Sequence, residues 1–194
     1  MAEEIKMAEN VMLIDASFLN LVIKDIKRHF EKVLGRTLEP INVADLCAYL
    51  ACDAGIHDGD NQIQVLFIYD KESAELAFCR PSGLEKELTN VAFKDNLGEF
   101  SFFTFQPGDL ATLDELYLES LKVITHAEEV KKLIVVSYNE NYGERADAIL
   151  EESAGTGKEI VQFRMDEPLR KICVHWEILA YPVMQAFGIR GDEL

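Results

Sequence analysis

A chain of 194 residues carrying 35 acids against 19 Lys and Arg has a formal charge of −16, which repels a phosphate backbone at long range and argues against general nucleic-acid binding. With 48% apolar residues and a mean hydropathy of −0.02, it has the length and composition of one buried core, and its longest apolar runs fall short of a membrane helix. The acidic start, Met1–Asn10, lacks the basic-then-apolar form of a secretory leader. The expectation is an acidic extension, residues 1–10, ahead of one cytoplasmic domain, residues 11–194.

Val11–Asp15 (VMLID) reads as a buried strand ending on an acid. Phe18, Val22, Ile26, Phe30 and Val33 then recur at helical spacing, and Gly35 is placed to stop that helix. Lys24, Lys27, Arg28, Lys32 and Arg36 gather in and just after this helix, opposed by Asp25 and Glu31, and read as a solvated face. Pro40 breaks the chain. Asn42 caps a second helix with Val43, Leu46, Cys47 and Leu50 inward and Gly55 at its end. Ile63–Tyr69 is the second strand. From Asp70 to Asn96 the signals are mixed: Leu76–Cys79 suits a short edge strand, Pro81-Ser82-Gly83 a turn, and Leu84–Lys94 either helix or strand.

Phe100–Phe105 (FSFFTF) is a third strand. Thr112 with Glu115 forms a capping box for a helix whose inner face holds Leu113, Leu116, Tyr117, Leu121 and Ile124. Leu133–Val136 is a fourth buried strand, followed by the polar knot Asn139-Glu140-Asn141-Tyr142-Gly143 and a short amphipathic helix through Ala146, Ile149 and Leu150. Gly155-Thr156-Gly157-Lys158 turns into a fifth strand, Glu159–Arg164. It is not a phosphate-binding loop, because Glu152 stands where the first glycine is needed and Glu159 follows the lysine. A last helix is expected at about residues 168–187, with an apolar stripe from Leu169 to Phe187 and a kink at Pro182; the stripe either completes the core or forms a homodimer contact.

Strands alternating with amphipathic helices predict one α/β domain with a mostly parallel sheet covered on both faces. Cys47, Cys52, Cys79 and Cys173 form no CxxC pair and read as buried thiols of a reducing compartment. His29, His57, His126 and His175 show no metal-ligand spacing. The carboxylates carry more chemistry. Asp15 ends the first strand, Asn139, Glu140 and Asn141 follow the fourth, and Asp109 and Asp114 flank the start of the preceding helix. If strands one and four are neighbours where the strand order reverses, these groups converge on one crevice, and converging acids call for a divalent cation able to activate water. Each also has a plain role as a helix cap or a first-turn acid.

VMLIDASFLN resembles the opening strand of PIN-like nuclease domains and their NYN relatives, where a strand ends in Asp before a small polar pair. LIVVSYNENYGERADAIL resembles their fourth strand and the turn after it, and Gly157–Val161 fits their passage into a fifth strand. The resemblance spans roughly residues 11 to 165. It implies a five-stranded parallel sheet of order 3-2-1-4-5 and, in active members, a ribonuclease that uses Mg²⁺ or Mn²⁺. Asp15 matches the first metal-binding acid and Asp109 the acid near the helix before strand four, with Asp114 or Glu115 as second choices. Two family aspartates are replaced by Asn139 and Asn141, so the acidic motif is degenerate. Glu140 stands one position out of phase, and Glu72 and Glu75 are candidates for the remaining acid.

Three readings follow. The first is a PIN-like or NYN-like domain that lacks efficient nuclease activity and serves as a binding or regulatory module. The second is an active metal-dependent ribonuclease using Asp15, Asp109 and Glu140, with the basic helix face guiding RNA. The third is a flavodoxin-like or receiver-like domain that binds a small ligand or a protein at the same crevice.

Overall fold

The computed structural model describes residues 6–194. Of the acidic extension, residues 1–5 lie outside the described residues, and Asn10 already belongs to the first strand. That strand, β1 (Asn10–Asp15), is buried from Val11 onward and runs directly into α1 (Ala16–Leu34), with Asp15 as the N-cap. Gly35 closes α1 at φ 63, a left-handed conformation that glycine adopts without a side-chain clash. A two-residue β2 (Ile41–Asn42) precedes α2 (Val43–Asp53), which Asn42 caps through the Ala44 and Asp45 amides. β3 (Asn61–Ile68) follows.

The stretch with mixed signals resolves into several short pieces. β4 (Cys79–Arg80) pairs with β2, Leu84–Leu88 forms a π-helical turn, and β5 (Ala92–Lys94) runs antiparallel to β6 (Gly98–Phe105). Leu84–Lys94 is therefore helical at its start and extended at its end. The edge strand read over Leu76–Cys79 begins only at Cys79.

Thr112 and Glu115 close the expected capping box on α3 (Leu113–His126). β7 (Lys132–Val136), α4 (Asn139–Ser153) and β8 (Glu159–Arg164) then follow as read. The C-terminal region departs from expectation. The single helix over 168–187 is replaced by an irregular segment, a strand β9 (His175–Ile178) parallel to β8, and a seven-residue α5 (Ala180–Ala186) that holds Pro182 in its first turn. A proline in the first turn lacks an N–H that would have had no partner in the helix, so it starts α5 instead of kinking a longer one. Leu169, expected on the inward stripe, is fully exposed.

The main sheet has order β5-β6-β3-β1-β7-β8-β9, parallel throughout except for β5. Its five long members give the expected 3-2-1-4-5, and the short β5 and β9 bring the expected five strands to seven. The fold is thus α/β with helices on both faces. Alternation along β1 sorts its side chains between two cores: Met12 and Ile14 pack with α1, α2 and α5, while Val11 and Leu13 pack with α3 and α4. Two lysines at the opposite end of the sheet from Asp15 tie the layers together. Lys132 Nζ donates to the Ala54 carbonyl at the end of α2, and Lys158 Nζ to the Ala127 and Val130 carbonyls after α3; both place a cation on a helix C-terminus. No helix among the described residues is long and apolar enough to cross a membrane.

Candidate functional site

The strand order reverses between β1 and β7, so the turns leaving their carboxyl ends meet in the crevice where open α/β sheets usually hold ligands. Asp15 ends β1 here with 0% exposure. Its Oδ1 accepts from Ser17 Oγ at 2.6 Å and from the Phe18 amide at 3.1 Å, and its Oδ2 accepts from the Tyr142 hydroxyl at 2.6 Å. Burial raises its pKa above the usual 3.8, although the bonds from Ser17, Tyr142 and the Phe18 amide pull the other way.

Tyr142 reaches Asp15 because of the local backbone of α4. The polar knot, expected to be a turn, is the helix's first turn, and Tyr142 departs from helical geometry there (φ −119, ψ 17). That kink lets a 2%-exposed ring enter the core beside Tyr117, with ring centroids 5.2 Å apart. Tyr117 Oη hydrogen-bonds Ser137 Oγ at 2.9 Å and donates to the Leu13 carbonyl at 3.4 Å. Asp15 with Tyr142, and Tyr117 with Ser137, thus form two buried hydrogen-bonded pairs, joined by the contact of the tyrosine rings, across the ends of β1 and β7. Burial pushes both phenols well above their usual range, so they remain neutral donors.

The other proposed ligands do not join this group. Asp109 is exposed in the loop before α3. Asp114 accepts from the Thr112 hydroxyl and is ion-paired to Arg145 at 2.7 Å, and these contacts, the Thr112 bond first, lower its pKa. Glu115 serves the capping box. Glu140 and Asn141 are exposed on the first turn of α4, and Glu72 and Glu75 are exposed after β3. Asn139 turns toward β8, where its Oδ1 accepts from Gln162 at 3.4 Å and its Nδ2 is buried without a partner among the described residues. Gln162 also donates to Asp147 at 3.0 Å and accepts from Arg164 at 3.0 Å.

Among the described residues, no three His, Cys, Asp or Glu side chains gather as a metal ion needs. The one acid at the expected place already accepts from Ser17, the Phe18 amide and Tyr142, whereas Mg²⁺ is held through several carboxylates and water. The described residues do not fit a divalent metal centre.

Residues 4–194 match a family of unknown function (DUF6621). The chain belongs to this family. No curated protein and no solved structure matches it.

In this DUF6621 chain the crevice beside the sealed Asp15 has a volume of about 470 Å³ and is lined by Phe18, Asn139, Glu140, Arg164, Met165 and Leu169, among others. Phe18 on its wall stacks on Tyr138 with ring centroids 5.1 Å apart, and Asp15 is not among the lining residues. Sequence reasoning named Tyr117 and Tyr142 only as parts of their elements. The signal for them was a tyrosine on an otherwise apolar inner face, since a buried hydroxyl needs a partner. All four histidines are exposed, as are Cys52 and Cys173. Of the thiols read as buried, Cys47 and Cys79 are so, and burial pushes Cys79 up to about 12.

Proposed function

We propose that this protein is a PIN-like domain without an efficient nuclease centre, acting as a binding module through the crevice at the ends of β1, β7 and β8. The observation that carries the reading is the Tyr142 hydroxyl on Asp15 Oδ2. It occupies the position from which the family resemblance would have the acid hold a cation, with a neutral donor in the cation's place. The long-strand order 3-2-1-4-5 and the amides Asn139 and Asn141 are in keeping with it.

The test is calorimetric titration of Mg²⁺ and Mn²⁺ into the protein, beside cleavage assays on single-stranded RNA at low salt. The expected result is no saturable metal heat and no cleavage above a mock preparation. Metal-dependent cleavage that disappears in Asp15→Ala would overturn the reading in favour of a ribonuclease.

A further inference from the structure

The basic cluster on α1 lies away from this crevice and takes no part in it. Lys24, Lys27, Arg28 and Glu31 line a groove of about 340 Å³, and Phe78 from the loop before β4 forms the rest of its wall. We propose that this groove docks an acidic peptide segment of a partner protein, with an apolar side chain set against Phe78 and carboxylates on Lys24 and Arg28.

Phe78 is an unusual residue to display. The residue is 47% exposed and its backbone is left-handed at φ 52, a conformation that bulky residues rarely adopt. The loop that carries it is held firmly. Asn20 Nδ2 donates to the Glu75 carbonyl at 2.9 Å, the Ala77 amide donates to Asn20 Oδ1 at 2.8 Å, and the Ile41 amide donates to the Phe78 carbonyl at 2.7 Å. The aromatic ring is therefore presented at a fixed place, with little ordering left for a partner to impose.

The cations divide into two kinds. Lys27 is committed internally: its ammonium lies 4.6 Å from the Phe78 ring centroid and pairs with Glu31, which also accepts from the Leu38 amide. Arg28 is 73% exposed and meets only the exposed Asp25, at 3.5 Å, and Lys24 is exposed and pairs with no acid among the described residues. An outward arginine beside an exposed aromatic is a combination enriched at protein interfaces, and Lys24 adds a second positive charge to it.

Charge selects the partner's chemistry. Five cations and two acids lie between Lys24 and Arg36, in a chain of net −16. A small positive groove in a negative surface attracts carboxylates concentrated in a short segment and repels misplaced registers. The same surroundings disfavour a polynucleotide, whose phosphates continue past the groove at regular spacing.

The probes are three fluorescein-labelled polyglutamate peptides bearing a single Phe, Trp or Leu, read by anisotropy at low salt and at about 0.15 M salt. Saturable binding that weakens with salt is expected for at least one peptide. It should fall at least about tenfold in Lys24→Glu/Arg28→Glu, in Phe78→Asn, and when Gln replaces Glu in the peptide. Asparagine tolerates the left-handed backbone, Phe78→Ala is a second variant, and thermal melts verify that each variant folds. Binding should persist in Leu169→Glu, which sets an acid on the exposed wall of the crevice and so separates this groove from it. The proposal is overturned if none of the peptides binds at low salt, if binding ignores the groove variants, or if oligouridine or phosphatidylserine vesicles bind more tightly than the peptides.

Discussion

Asp15 shows how one carboxylate can serve structure at a position that the motif assigns to chemistry. It caps α1 through the Phe18 amide and is linked to α4 by the Tyr142 hydroxyl, joining elements on opposite faces of the sheet. Hydrogen bonds to charged groups contribute about 1.5–3 kcal/mol each, so Tyr142→Phe should lower stability by that order in urea unfolding at neutral pH. An unchanged midpoint would mean that Asp15 finds another donor.

The pH dependence has a definite sign. Because burial raises the native pKa of Asp15 above 3.8, the native state binds its proton more tightly than the unfolded chain does. Stability from this group is greatest below 3.8, falls as pH rises through the raised native value, and is flat above it. Subtracting the urea-stability profile of Asp15→Asn from that of the wild type should leave this falling step, whereas parallel profiles would show that the acid's pKa is not raised. At this scale the sequence showed Asp15 and its strand, because a local run of five residues encodes both. It concealed Tyr142 as the partner, because that contact spans 127 positions and depends on one non-helical residue within α4.

The elements that were legible are those whose limits are set by neighbouring residues. The α1 stop at Gly35, the Asn42 cap and the Thr112–Glu115 box each follow from side-chain chemistry within a few positions. β9 was not legible. Ile172, Trp176, Leu179 and Val183 recur at helical spacing, yet His175–Ile178 lies along β8, and this pairing rather than periodicity decides the outcome. β5 was hidden in the same way, since only its partner β6 makes three residues a strand.

One element boundary also carries a sharp steric requirement. Gly98 opens β6 at φ 142, and a Cβ there would stand 2.1 Å from the Asn61 carbonyl oxygen of β3. Gly98→Ala is therefore expected to destabilise the protein by at least ~1–3 kcal/mol through backbone strain, measured as a lower urea midpoint, with the β3–β6 amides losing hydrogen-exchange protection first. A wild-type midpoint would show that the two strands separate without cost at that end.

For the molecule as a whole, the parallel sheet explains why the fold class was readable from so little. Strands buried on both faces must be continuous apolar runs, and VMLID and LIVV are such runs. What the whole molecule adds is placement: strand order puts Asp15 and Ser137 side by side, while α1 turns its cations to the far face, so a chain of net −16 keeps a local positive groove.

The two outermost strands have a further consequence. β5 has three residues and β9 four, and each covers the rim of a longer strand, β6 with eight residues and β8 with six. A chain ending just before His175 would leave the hydrogen-bonding row of Glu159–Arg164 (EIVQFR) open, with an apolar face behind it. Such an open rim is a template for a second molecule's strand. The truncated protein should therefore form thioflavin-positive aggregates at concentrations where the full chain stays dispersed, and a clear, monodisperse truncated sample would show that β9 has no protective role. On this view the last twenty residues act as a guard against polymerisation, whatever ligand the rest of the chain binds.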